Sequence, residues 1–429
     1  MANRTIQVDY IARVEGESSL ELSIRDGKVD AVRLSIFEPP RFFEALLRGR
    51  GFGEVLDIVA RICGICPIAY QMSGVHAIED ALGIEVEEPI RALRRLLYCG
   101  EWIQSHALHI VMLHAPDFLG YPDAITMARD HGDAVRRGLA LKKTGNELLR
   151  LLGGREIHPI NARVGGFYRV PSRAELAPVA EALKHARDQA VKTLRWTAGF
   201  SFPEFFRDYE FVALRHPDEY PMNAGRIVSS AGLNIAAANY ETEFIERQVP
   251  YSTALHSVLK ERGAYLVGAM ARYALNRDRL PADIRALADE VGLEPICRNP
   301  FRSILVRGIE VVYACDEALR LIASYEPPSR SCVPPEPRAA IGHACTEAPR
   351  GILYHRYRLD ADGTILDASL VPPTAQNQDV IEEDLREVAM AGLDLDEQTL
   401  KARCEQSIRN HDPCISCAAH FLKLQVYRT

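Results

Sequence analysis

Hydrophobic and polar residues alternate along the first 36 positions. Thr5-Ile6-Gln7-Val8-Asp9-Tyr10-Ile11 repeats with period two, as do Leu20-Glu21-Leu22-Ser23-Ile24 and Val29-Asp30-Ala31-Val32-Arg33-Leu34-Ser35-Ile36, the last two separated by an Asp26-Gly27 turn. This pattern predicts a small antiparallel sheet. The period then lengthens. Helical patterns cover 41–49 and 54–62, restart at Pro67 through Tyr70, His76 and Glu79, and run strongly apolar over 88–117. Ser172-Arg173-Ala174-Glu175 is a capping box that opens a helix to about Trp196. Further helical patterns cover 241–277, start at Pro281, and cover 301–324. Pro327-Pro328 and Pro334-Pro335-Glu336-Pro337 then break the chain. The last third predicts strands around loops: a polar loop over 342–350, alternation over 351–359, a hairpin turn at Asp362-Gly363 and a loop over 371–377. A helix over 378–391 follows, ended by Gly392, and another over 395–410. The expectation is an α+β, predominantly helical chain: a sheet at 1–36, a central helical bundle over 37–330 and a mixed strand and helix part over 331–420.

Composition narrows the class. The 429 residues are 47% hydrophobic and 25% charged, with a net charge of −7 and both signs interspersed. These are globular proportions, and the charge argues against a nucleic-acid surface. No apolar run reaches the roughly 18 residues that a bilayer span needs. Met1-Ala2-Asn3-Arg4-Thr5 has no apolar signal region, so the expected location is cytoplasmic, or wherever a partner carries the chain.

The chemistry lies in the cysteines. Of ten, four form two C-x-x-C pairs, Cys63 with Cys66 and Cys414 with Cys417, and the pairs are 348 residues apart (414 minus 66). The others are scattered singly and read as buried small hydrophobes. Two thiolates three residues apart can grip one metal ion from a single turn, so a four-thiolate site would join the chain's two ends and bury the site between its parts. Structural zinc is one candidate, although zinc pairs usually follow within a few tens of residues. An iron–sulfur cluster is a second and a nickel-type redox site a third. Arg350, in Ala348-Pro349-Arg350-Gly351, would be a permanently protonated donor beside anionic ligands. His106 and His109 are i,i+3 neighbours that could pair on a metal, but core histidines bonded to backbone or carboxylate are the better reading.

In combination, Arg61-Ile62-Cys63-Gly64-Ile65-Cys66 and Asp412-Pro413-Cys414-Ile415-Ser416-Cys417-Ala418-Ala419-His420 resemble the two end motifs of the large, catalytic subunit of nickel–iron hydrogenases. Arg13-Val14-Glu15-Gly16, Leu113-His114-Ala115-Pro116-Asp117 and Ala348-Pro349-Arg350-Gly351 agree with it. The resemblance covers essentially the whole chain. It implies nickel on Cys63, Cys66, Cys414 and Cys417, and iron sharing Cys66 and Cys417 and carrying one CO and two cyanides. It implies Arg350 above the metals, as a base or as the group orienting dihydrogen, held by Asp117 and Asp412. Pro373 and Thr374 would fall in the loop that hydrogen-bonds a cyanide, with Pro349 also at the cofactor. Ile65 would line the gas path, and Glu15 would pass protons on from a terminal nickel-bound cysteine. Glu44 and His420 would hold a magnesium ion. Tyr70 departs from the family, where a histidine is common.

The implied activity is reversible heterolytic oxidation of dihydrogen. The chain has no third cysteine cluster and no nucleotide-binding glycine motif in context, since Arg48-Gly49-Arg50-Gly51-Phe52-Gly53 reads as a turn. An iron–sulfur small subunit must therefore take the electrons. The look is closest to soluble sulfhydrogenase alpha subunits, which implies flavin and iron–sulfur diaphorase subunits leading to NAD(P), a maturation protease and nickel-insertion proteins. Residues 421–429 would be a removable tail. The competing readings are a hydrogenase-like structural or coupling subunit and a zinc scaffold.

Overall fold

The computed structural model describes residues 4–39 and 42–419. Strands Arg4–Val8, Ser18–Arg25 and Lys28–Ile36 form the antiparallel N-terminal sheet in sequential order, with Ile6 opposite Leu22 and Leu22 opposite Val32. Its buried face (Ile6, Val8, Leu20, Leu22, Leu34) shares its core with only a few residues of the central part, such as Phe118 and Phe301. It packs on Ile381, Leu385 and Val388 of helix Pro373–Ala391 and on Leu400, Cys404 and Ile408 of helix Glu397–Asn410. The two ends of the chain thus share one hydrophobic core, and this brings the turn at Glu15 beside Cys414.

The middle is helical: Pro67–Leu82, Glu88–Leu108, Ala124–Gly153, Arg173–Ala198 and Ser303–Ala323 pack around one continuous apolar core. The capping box at Ser172 is present, with Ser172 Oγ accepting the Glu175 N–H and Glu175 accepting the Ser172 N–H. The apolar helix from Glu88 is interrupted by a wider π turn, His109–His114, before helix Ala115–Leu119. The longest helix, Ala124–Gly153, was not among those the pattern predicted. It is rich in Arg and Lys, and its buried positions include Gly138, Thr144 and Gly145, which carry no apolar signal.

Three expectations are corrected. Residues 241–277 are not one helix: Phe244–Gln248 and Leu255–Leu259 form an antiparallel hairpin, and only Ala269–Asn276 is a longer helix. Pro250 would break a helix there, and Phe244 and Leu259 bury against Tyr240, Tyr265 and Tyr354. Residues 342–350 are not a polar loop. Ala340–Ala348 is a strand paired with Gly351–Leu359, and its polar residues are buried with partners: Thr346 shares a hydrogen bond with Ser73, and Glu347 accepts from Arg272 and Leu214. The third strand, Ile365–Val371, completes the sheet across the predicted hairpin. Residues 373–377 are not loop: the helix begins at Pro373, where proline's fixed φ suits the first turn.

Candidate metal centre

Each cysteine pair sits at the start of a helix. Cys66 precedes helix Pro67–Leu82, and Cys414 precedes the short helix Ile415–Ala418. The backbone N–H groups of Ile65 and Cys66 donate to Cys63 Sγ at 3.3 and 3.2 Å, which folds the first pair into a tight turn. The second pair is docked by three bonds. Ile415 N–H donates to the Glu15 carbonyl at 2.8 Å, Cys414 N–H to Thr374 Oγ1 at 3.0 Å, and Cys417 N–H to the Cys414 carbonyl at 3.2 Å.

The four sulfurs converge within 4.8 Å of one another and all four cysteines are buried. Across the pairs, Cys63 Sγ lies 3.5 Å from Cys414 Sγ and Cys66 Sγ 3.8 Å from Cys417 Sγ. A metal with sulfur bonds of about 2.3 Å puts its thiolates about 3.3–3.8 Å apart, which the two cross-pair distances match, while Cys414 Sγ and Cys417 Sγ stand closer, at 2.6 Å, and would part to hold one. Electrostatics agree. Burial pushes the Cys63 thiol up, but hydrogen bonds from Cys414, Cys417 and Cys66 and the Arg350 charge bring it well below the usual thiol range. Cys66, Cys414 and Cys417 lie above that range, the last two chiefly through burial. Four buried sulfurs beside one guanidinium cannot all ionise without further positive charge, and a bound cation supplies it.

Arg350 is 4% exposed. Its Nε donates to the Asp412 carbonyl at 2.8 Å, its Nη2 to Asp412 Oδ1 at 3.1 Å and its Nη1 to Ser105 Oγ at 3.5 Å. Burial works against its charge, but Asp412, Cys414, Cys66 and Cys63 overcome that and hold it protonated. Asp117 does not hold Arg350. Its carboxylate accepts from Arg13 Nη2 at 2.5 Å and from Arg409 Nε and Nη2 at 2.7 and 2.8 Å, and Arg409 also donates to the Ala12 carbonyl. Asp117 therefore clamps the N-terminal turn to the helix that leads to Asp412. Asp412 itself has a left-handed backbone, φ 51°, which turns the chain between that helix and Cys414.

Glu15 Oε2 lies 3.0 Å from Cys414 Sγ. Thr374 lies in the first helical turn rather than a loop. The Ile65 carbonyl accepts from Gln104 at 2.5 Å, and the Pro349 carbonyl accepts from Arg272 at 2.8 Å. Glu44 Oε1 accepts the Leu370 N–H at 2.7 Å. Glu44, Tyr70 and Cys417 line one cavity of about 710 Å³. His420 lies outside the described residues, as does the tail 421–429. The helix histidines are core residues: His106 Nε2 lies 3.0 Å from Glu310 Oε2, and His109 Nε2 lies 2.8 Å from the Arg409 carbonyl.

Two supporting features were missed from the sequence. Glu101, fully buried, accepts the Ile68 and Ala69 N–H groups at 2.7 and 3.1 Å, anchoring the helix start just after Cys66. Its signal was a carboxylate in an otherwise apolar helical stretch. The other is Arg272, buried between Glu310 (2.8 and 2.7 Å) and Glu347 (2.8 Å), with its guanidinium 4.4 Å from the Trp102 ring centroid. It also donates to the Ala348 and Pro349 carbonyls, each at 2.8 Å, and so sets the loop that presents Arg350. Burial pushes Glu310 up, yet two bonds from Arg272 and one from His106 bring it down to about 2. Glu347, with one Arg272 bond and Glu310's charge nearby, is pushed up to about 7 by burial. Removing Arg272 leaves both buried acids without their shared cation. Arg272→Met is expected to lower unfolding free energy by about 3–5 kcal/mol, read as a shift of the denaturant midpoint. A variant within 1 kcal/mol of wild type would show that the pairing is dispensable.

The nickel-dependent hydrogenase family profile matches residues 41–137. Among individual proteins, the sulfhydrogenase 2 alpha subunit of Pyrococcus furiosus is 37% identical, over 98% of this chain and 100% of that one. The sulfhydrogenase 1 alpha subunit of the same organism is 34% identical, over 98% of each. The HoxS beta subunit of the NAD-reducing hydrogenase of Cupriavidus necator is 27% identical, over 98% of this chain and 95% of that one. Among solved structures, an NAD+-reducing [NiFe]-hydrogenase in the H2-reduced state superposes with a TM-score of 0.88 at 25% identity, covering 98% of this chain and 100% of that one.

Proposed function

The chain belongs to the nickel-dependent hydrogenase large-subunit family, and from that premise we propose that it oxidises dihydrogen reversibly at a nickel–iron pair held by Cys63, Cys66, Cys414 and Cys417. All four sulfurs would hold the nickel, and Cys66 and Cys417 would also hold an iron carrying one CO and two cyanides. The observation that carries this reading is the convergence of the four buried sulfurs within the field of one buried guanidinium. When bound, the metal pair supplies the Lewis acidity that polarises dihydrogen.

The chain's own residues do the rest. Arg350 stays charged and is a fixed donor above the sulfurs rather than a base, with Asp412 gripping it through carboxylate and carbonyl. Cys414 Sγ holds the departing proton within hydrogen-bond reach of Glu15, which takes it onward. Thr374 accepts the Cys414 N–H through its oxygen, which would leave its hydroxyl proton for a cyanide beside Pro373, and Pro349, its carbonyl held by Arg272, would border the cofactor. Ile65 lines the gas path between the first two cysteines. Glu44, which lines the cavity shared with Tyr70 and Cys417, would hold a magnesium ion together with His420.

Electrons leave through an iron–sulfur small subunit, in keeping with relatives that are subunits of larger hydrogenases. Diaphorase subunits then deliver them to NAD(P), as the NAD-reducing relative's name suggests. A maturation protease removes residues 421–429 after nickel-insertion proteins load the site. No helix among the described residues is long and apolar enough to cross a membrane, and the cytoplasm is the proposed location. The test is metal analysis of the chain matured with its own partner subunits. Near-equimolar nickel, with CO and cyanide stretches in the infrared and a C-terminal mass lacking 421–429, is the expected result. A folded, processed complex holding zinc and showing no such bands would overturn the proposal.

A further inference from the structure

Helix Ser303–Ala323 carries a buried guanidinium that no acid takes up. Ser303, Arg307 and Glu310 follow at helical spacing along one side of it. Ser303 Oγ donates to the Asn410 carbonyl at 2.7 Å, just before Asp412, and Glu310 Oε2 lies 3.0 Å from His106 Nε2. Arg307, between them, is 4% exposed, yet its Nε and Nη1 have no hydrogen-bond partner, and it enters no direct ion pair among the described residues. Glu310 is already engaged by Arg272 at 2.8 and 2.7 Å and by the Tyr220 hydroxyl at 2.8 Å. Burial brings the Arg307 guanidinium down to about 10, so it keeps its charge at neutral pH, and Asp412 is the acid that supports that charge most.

Asp412 is only half used. Its Oδ1 accepts Arg350 Nη2 at 3.1 Å and its carbonyl accepts Arg350 Nε at 2.8 Å, whereas its buried Oδ2 has no hydrogen-bond partner. A guanidinium and a carboxylate in contact commonly close a two-bond fork through both oxygens. Here the fork stays open, and Arg350 Nη1 is left with Ser105 Oγ at 3.5 Å. His109 is not what draws Oδ2 aside. Its Nε2 lies 2.8 Å from the Arg409 carbonyl and 3.9 Å from the other oxygen, Oδ1. Burial, and then the Arg307 charge, hold its imidazole well below the usual range, so the ring is neutral. Arg307 is the charge left to act on Oδ2. An unbonded buried charge destabilises a fold, so its use to this chain lies elsewhere than in stability.

Resting on the dihydrogen reading above, we propose that Arg307 is a positioning residue that acts through Asp412: it draws Oδ2 away from Arg350, limits the carboxylate to one bond, and so keeps Arg350 Nη1 for the reacting centre. The hold is exerted by charge across a buried interior, where it is screened far less than in solvent. No bond is made or broken by it, and no proton or electron moves. Arg272 and Arg307 thus divide the work behind Arg350. Arg272 fixes the loop that presents Arg350, through the Ala348 and Pro349 carbonyls, and Arg307 fixes the acid that aims its side chain.

The test uses the matured complex carrying Arg307→Met or Arg307→Lys. Arg307→Met is expected to cut dihydrogen turnover by at least about tenfold, within the range for coupled neighbours, with wild-type nickel content and CO and cyanide bands. Its thermal midpoint should lie at or above that of wild type, because an apolar side chain replaces an unbonded buried charge. A crystal structure of the variant should show Asp412 turned so that both its oxygens meet Arg350. Arg307→Lys, which keeps the charge, should recover most of the turnover. Turnover of Arg307→Met within about twofold of wild type would overturn the proposal, as would an unmoved Asp412. A lowered midpoint with loss of nickel would overturn it too, by marking Arg307 as a support of the fold. Arg307→Lys no better than Arg307→Met would show that the charge is not what acts. A wild-type complex with neither turnover nor the infrared bands would instead defeat the dihydrogen reading, and the positioning role with it.

Discussion

Replacing Cys414 with serine is expected to give a folded chain with less than about a tenth of the wild-type nickel and no measurable dihydrogen turnover. Soft thiolates are what select and retain such a metal, and a serine hydroxyl at neutral pH offers neither the charge nor the softness. The loss falls on the site rather than the fold. The loop is fastened independently by Ile415 N–H on the Glu15 carbonyl and by Ile415 and Ala418 packed against Ile36 and Ala254. Cys332→Ser is the matched control. That cysteine is half-buried, far from the cluster, and its Sγ donates to the Val164 and Val333 carbonyls, which a hydroxyl can also do. Nickel content, circular dichroism and thermal midpoint on both variants decide the matter. Wild-type nickel in Cys414→Ser would remove that sulfur from the ligand set.

The second large effect is expected at Arg350. Arg350→Lys keeps the charge but not the fork, and turnover should fall by about 10²–10³-fold, the usual consequence of losing one preorganised donor at a reacting centre. The geometry explains why charge alone is insufficient. Nε and Nη2 engage the carbonyl and carboxylate of a single residue, Asp412, at 2.8 and 3.1 Å while Nη1 reaches Ser105 at 3.5 Å. One ammonium cannot satisfy the Asp412 pair and also stand above the sulfurs. Nickel content and the infrared bands should be those of wild type, which separates this variant from Cys414→Ser. Turnover within about threefold of wild type would show that Arg350 contributes only its charge.

Asp117 and Asp412 show how far a motif reaches. Both belong to segments resembling the family, and both were expected on Arg350. Asp412 is there. Asp117 is taken by Arg13 and Arg409, two buried or half-buried guanidiniums whose positions depend on the packing of the N-terminal turn against helix Glu397–Asn410. Charge pairing inside a fold goes to whichever partner the backbone brings within hydrogen-bond distance, and nothing near Asp117 in the chain names that partner. The polar strand Ala340–Ala348 was misread for a related reason. Thr346 and Glu347 read as solvent-facing until Ser73, Leu214 and Arg272, all remote in sequence, supply their bonds. The hairpin Phe244–Gln248 with Leu255–Leu259 is replaced in the pattern by an apparent helix because its apolar residues fit either period until their tyrosine neighbours are known.

What the sequence determined by itself is local. A C-x-x-C spacing puts two sulfurs on one turn whatever surrounds them, a capping box starts its helix, and proline after Cys66 starts the next. The four cysteines that converge could therefore be named from the chain alone. What only the tertiary structure decided is which distant groups meet: Arg272 behind the Arg350 loop, Glu101 under Cys66, Ser416 between Glu15 and Glu38. The last of these follows from the N-terminal sheet burying its apolar face on the C-terminal helices, the first two from the packing of the central core, and both are long-range choices made by hydrophobic area and shape, which no local spacing encodes.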